Sequence, residues 1–120
     1  MVLDNQGVYL QIITSNSAGF SQALEFYNNN VPASQVGYDF DLEIREKADK
    51  TSKLLVRLST EDDSITVASN VVTLNIDAAT LEGFAAGTYY YALNSILIEN
   101  PTIIAQELYG EFIIKQGVIR

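Results

Sequence analysis

Eight consecutive residues, Tyr38-Asp39-Phe40-Asp41-Leu42-Glu43-Ile44-Arg45, alternate strictly between large apolar and charged side chains. Successive side chains of an extended chain point to opposite faces, so this segment reads as a strand with Tyr38, Phe40, Leu42 and Ile44 toward a core and the charges toward water. The same period recurs from end to end: Gly7 to Thr14, Phe20 to Tyr27, Lys53 to Thr60, Ser64 to Ala68, Val71 to Ile76, Thr88 to about Glu99, and Thr102 to Gln116. No long segment holds a helical period. The chain is therefore expected to be nearly all β.

The segments between strands carry turn chemistry. Glu46 to Ser52 reads as the charged turn of a long hairpin, Glu61-Asp62-Asp63 and Ser69-Asn70 as tight turns, and Asn100-Pro101 as a break between the last two strands. Asn28-Asn29-Asn30 before Val31-Pro32 is a polar loop tip. Asp77 precedes Ala-Ala-Thr-Leu and can accept from free backbone N–H groups, so one helical turn is expected over Ala78 to Gly83. The 120 residues contain no linker, repeat or low-complexity tract and are 48% hydrophobic, enough for one core. We expect a single domain over residues 1–120, an antiparallel sandwich of about seven to nine strands rather than a barrel, with Phe40, Leu42, Leu74 and Phe112 in the shared core. Val2, Leu3, Val118 and Ile119 flank the core strands and read as apolar arms for binding a partner.

Composition narrows the chemistry. With neither cysteine nor histidine, the chain has no disulfide, no thiolate nucleophile or ligand, and no imidazole base. A formal charge of −8, from 15 acidic and 7 basic residues, opposes contact with nucleic acid phosphates. The uncharged stretch Gly83 to Ile98 is too short and too polar to span a bilayer, so no membrane segment is expected. Met1 to Gly7 lacks the basic and apolar regions of a signal peptide, which predicts synthesis and retention in the cytoplasm until assembly.

Candidate chemical sites each have a plainer structural reading. Asp39, Asp41 and Glu43 could offer a hard cation three carboxylates, yet a pairing of Glu43 opposite Arg57 would make the row a solvated face offset by cross-strand charge. Glu61-Asp62-Asp63 lacks the glycine and distal glutamate of a calcium loop. No pair of carboxylates stands out as a glycosidase pair. The glycine-flanked Gly83-Phe84-Ala85-Ala86-Gly87 has no residue for holding a phosphate. Tyr89, Tyr90 and Tyr91 could present rings to a sugar, but alternation sends Tyr89 and Tyr91 opposite Tyr90, which suits packing. No catalytic residue, metal ligand or cofactor site is assigned, and the chain is expected not to be an enzyme.

Gly87-Thr88-Tyr89-Tyr90-Tyr91-Ala92-Leu93 resembles the Gly-x-Tyr-x-Tyr-Asp-Leu pattern that starts the penultimate strand of immunoglobulin-like modules in tailed-bacteriophage virion proteins. Glu107-Leu108-Tyr109-Gly110-Glu111-Phe112-Ile113-Ile114 is similar to the final strand of those modules. Upstream, Tyr38 to Arg45 resembles their early strand ending in Ile-Arg, and Val72 to Leu81 their short strand and helical turn. The resemblance covers about Tyr38 to Ile114. Ala92 departs from the usual Asp. Gly87, Tyr89, Tyr91 and Gly110 form the structural signature: Gly87 is expected to take a positive φ entering the strand, the tyrosine hydroxyls to reach backbone partners, and Gly110 to leave room for a facing ring from Tyr89 or Tyr91.

The resemblance implies an immunoglobulin-like β-sandwich and a structural protein of a bacteriophage virion, either a tail or baseplate adaptor or a capsid decoration protein. Its expected partners are other virion proteins, with homo-oligomers as a further possibility. The alternative is a carbohydrate- or receptor-binding sandwich, which requires an exposed aromatic pair and could use calcium bound by the Asp39 row.

Overall fold

The computed structural model describes residues 2–3 and 7–117 of the chain. Its elements follow the alternation. Strand β4 (Phe20–Asn28), β8 (Ile65–Ala68) and β9 (Val71–Ile76) lie side by side in the order β4-β9-β8, with β1 (Val2–Leu3) and β5 (Val31–Pro32) both on β4. A second sheet has the order β2-β11-β10-β6-β7, built from β2 (Val8–Tyr9), β6 (Tyr38–Arg45), β7 (Leu54–Ser59), β10 (Gly87–Leu97) and β11 (Ile104–Lys115). Strand β3 (Ile12–Ser15) also pairs with β11. Taking β4, β6, β7, β8, β9, β10 and β11 as B, C, C′, D, E, F and G, this is the strand order of an immunoglobulin-like sandwich.

Short connections explain the local pairings. Asn29 and Asn30 both have positive φ between the paired Asn28 and Val31, so this tip is a two-residue hairpin of the primed type, and β5 is the short return strand. Ser69 alone has positive φ in the turn from Ala68 to Val71, which fits the type II′ geometry. The helix α1 (Ala78–Glu82) begins where expected: the Asp77 carboxylate accepts from the Thr80 N–H at 2.8 Å. Hydrogen bonds from the Thr80 side chain and backbone hold the Asp77 carboxyl below its usual range.

The core lies between the sheets. Phe40, Leu42, Leu74 and Phe112 are all buried, as the alternation requires. Rings from β4 meet rings from the opposite sheet: Phe26 lies 5.8 Å from Phe40, and Phe20 lies 5.7 Å edge-on to Phe112. Such contacts add an orientation preference to the burial of area, which fixes how the sheets are stacked.

Two features depart from the sequence reading. The first long strand is broken into β2 and β3, and both run parallel to β11. The break falls at Leu10 and Gln11, where the Leu10 carbonyl turns in over Gly110. Leu54 is exposed although its alternation with Val56 and Leu58 points inward, because the β6–β7 register shifts between Ile44 and Arg45. A bulge inserts one residue and turns everything beyond it to the other face.

Candidate functional site

The glycine-tyrosine signature sits at two corners of the sandwich. Tyr89 Oη donates to the Ala85 carbonyl at 2.7 Å, and its ring packs edge-on against Phe84 with centroids 5.2 Å apart. This closes the connection from α1 into β10 in the manner of a tyrosine corner, where a hydroxyl early in strand F returns to backbone a few residues upstream. Tyr91 is buried and donates to the Leu10 carbonyl at 2.7 Å. Burial pushes its phenol pKa above the ordinary value, so it is a hydrogen-bond donor at every physiological pH.

Gly110 is the direct cross-strand partner of Tyr91, but backbone rather than a ring occupies the space it leaves. A Cβ there would lie 2.4 Å from the Leu10 oxygen, and φ is +154°. Gly110 and Tyr91 thus fasten the β2–β3 break from two sides. Gly87 corrects the expectation of a positive φ: it enters β10 with a negative φ, and a Cβ would meet nothing within 4 Å. The turn has already been completed by α1 and Phe84, so the strand starts without a left-handed residue.

The acidic row is accounted for by protein contacts. Glu43 stands opposite Arg57, as the alternation suggested, but pairs with Arg45 at 3.1 Å, while Arg57 reaches Asp41 at 3.5 Å. Asp39 accepts from the Thr60 hydroxyl, and Asp62 accepts from both the Ser64 N–H and its hydroxyl. Among the described residues no cluster of acidic side chains is arranged to hold a metal ion. Val2 and Leu3 form β1, in parallel register with Glu25 and Phe26, so their backbone extends the chain's own sheet. Val118 and Ile119 lie outside the described residues.

Two surfaces that sequence reasoning did not single out stand apart from this framework. The first is an end of the sandwich. The β8–β9 turn, the connection from β5 to β6 and the β10–β11 hairpin converge there, because Gln35 N–H donates to Ser69 O and Ile98 N–H donates to Gly37 O. Five aliphatic side chains are displayed at this end: Val31, Val36, Ile98, Ile103 and Ile104, each between 52% and 64% exposed. The hairpin carrying three of them is held by Leu97 N–H to Ile103 O, Ile103 N–H to Asn100 O, and the Thr102 hydroxyl to the Asn100 side chain. Exposed apolar residues in turn segments were the available signal, but only tertiary pairing brings them together.

The second surface is a trough of about 860 Å³ on the outer face of the larger sheet. Cross-strand register sets its floor in rows: Glu111, Tyr90 and Arg45 in one, Tyr109, Ala92 and Glu43 in the next, Gln106 and Asn94 in the third. Ala92, where the resembled pattern carries Asp, is the small residue at the centre. Tyr9 stands edge-on to Tyr109 with centroids 5.6 Å apart, and the hairpin loop after β6 bounds the trough with Lys47, Asp49 and Lys50. Glu111 accepts from Gln11 Nε2 at 2.9 Å and from Tyr9 Oη at 3.4 Å. Partial desolvation and the Glu111 carboxylate raise the Tyr9 phenol pKa.

Compared with known proteins, the chain matches no family model and no curated protein.

Proposed function

We propose that the chain is a non-catalytic assembly module, a structural component of a tailed-bacteriophage particle, that meets a neighbouring virion protein through the apolar end of its sandwich. The observation that carries this reading is the display of Val31, Val36, Ile98, Ile103 and Ile104 at one end of the sandwich. Soluble monomers rarely leave such side chains clustered in water, whereas an interface core uses them. The loops that carry them are tied down by backbone hydrogen bonds, so docking costs little ordering entropy. Within the signature, the Tyr89 and Tyr91 hydroxyls reach backbone partners, which suits an immunoglobulin-like module of the kind the sequence resembles.

The partner surface complementary to this end is an apolar recess on another virion protein. Val2 and Leu3 already have backbone partners in β4, so the loops rather than the N-terminal arm supply the proposed contact. A double substitution, Ile98→Asp with Ile103→Asp, tests it. Both positions are exposed, so the variant is expected to melt like the parent yet be missing from purified particles made in its presence. Incorporation equal to that of the parent would refute docking through this end. Concentration-dependent self-association that the double variant abolishes, with no particle association, would replace the virion partner by a second copy of the chain.

A further inference from the structure

We propose that the trough on the outer face of the larger sheet is a binding site for a neutral oligosaccharide. The trough shares Ile104 with the loop end but is otherwise built from other residues, so the site does not depend on the docking role of that end.

Charge is the first argument. The chain carries −8 overall, yet the trough is lined by three acidic residues, Glu43, Asp49 and Glu111, and three basic ones, Arg45, Lys47 and Lys50. Three of the chain's seven Lys and Arg are therefore spent on making one concave region neutral. The acids on the floor are engaged: Glu43 pairs with Arg45, and Glu111 accepts from Gln11 and Tyr9. A floor of satisfied, mutually cancelling charges offers no net attraction to an anion or a cation, and it offers many fixed donors and acceptors to a neutral polar ligand.

Side-chain chemistry is the second. Three of the seven tyrosines, Tyr9, Tyr90 and Tyr109, present side chains to the trough. Tyr9, Tyr90 and Tyr109 rise from β2, β10 and β11 at its floor and wall, beside the amides of Asn94 and Gln106. Aromatic faces match the C–H faces of pyranose rings, and planar amides and carboxylates match the paired hydroxyls around their rims. Tyr9 and Tyr109 are held edge-on to one another, so these rings are oriented before a ligand arrives. Shape is the third. The volume lies in the range of small-ligand clefts, ~300–1,000 Å³. Ala92, between Tyr90 and Asn94, gives the middle row of the floor a small side chain.

Titration calorimetry of the full chain against maltohexaose, cellohexaose and tetra-N-acetylchitotetraose, with heparin hexasaccharide as the anionic control, tests the proposal. At least one neutral oligosaccharide is expected to bind, with heparin weaker. Ala92→Leu, which fills the floor, and Tyr109→Ala are each expected to weaken binding by about tenfold or more, while the thermal transition and far-ultraviolet circular dichroism stay those of the parent. The exposed polar change Gln106→Ala is a second reporter, should Tyr109→Ala disturb packing against Tyr9. The Ile98→Asp/Ile103→Asp variant is expected to bind the sugar normally, which separates this site from the loop end. Failure of all three neutral sugars to bind, binding unaffected by Ala92→Leu and Gln106→Ala, or preference for heparin would each overturn the proposal. Loss of particle incorporation in Ala92→Leu without sugar binding would assign the trough to a protein partner instead.

Discussion

Tyr91 and Gly110 carry the strongest single-residue constraint in the molecule. The Tyr91 hydroxyl donates to Leu10 O, and the missing Cβ of Gly110 admits that same carbonyl. Gly110→Ala is therefore expected to destabilise the chain by about 1–3 kcal/mol, since backbone rather than a flexible side-chain end must move. Tyr91→Phe is expected to cost about 1–3 kcal/mol by leaving the carbonyl without its donor. Gly87→Ala is the contrast: with open space and a negative φ it should change stability by less than about 1 kcal/mol, and in the stabilising direction if at all. Denaturant midpoints of the three variants check this order. The sequence made both glycines look alike. Only the fold distinguishes them, because Leu10 approaches one from a hundred residues away along the chain and nothing approaches the other.

Individual strands were the most legible level. Strict alternation located β6 and β9 and named buried Phe40, Leu42 and Leu74, because one wet face and one dry face leave a local record. Phe40→Ala is accordingly expected to cost about 3–5 kcal/mol, measured as a lowered unfolding free energy. Bulges leave a weaker record. The register shift between Leu93 and Asn94 brings Glu107 into the interior, where Ser95 Oγ donates to it at 3.2 Å. Burial raises the Glu107 pKa, with the Ser95 hydrogen bond opposing. A carboxyl with a raised folded-state pKa stabilises the fold fully below its unfolded value, and that contribution is lost as pH rises through the folded value. Asp49, Asp62 and Asp77 act oppositely: their pKa values are lowered, chiefly by hydrogen bonds from Thr51, Ser64 and Thr80, so their contribution is lost only in more acidic solution. Thermal stability is thus expected to be higher near pH 5 than at pH 8. Glu107→Gln should raise the melting temperature at pH 8 and flatten the difference; a variant with the parent's pH profile would remove Glu107 as its source.

At the scale of the whole molecule, both candidate surfaces are products of topology. The trough draws Tyr9, Glu43, Tyr90 and Tyr109 from four strands, and the loop end draws its aliphatics from three connections, so neither has a contiguous motif to be read. The sandwich itself was readable because strands such as β6 and β9 announce their own dry faces. What sits outside it depends on which wet faces become neighbours, and on the parallel placement of β2 and β3 beside β11. Under the proposed function, this chain works by being built into a phage particle. Quantitative mass spectrometry of purified particles from the genome that encodes the chain tests that most directly. The chain is expected in a fixed, integral ratio to the other structural proteins, resistant to high-salt washing as an apolar contact should be. Its absence from washed particles, while abundant in the infected-cell lysate, would refute a structural role in the particle.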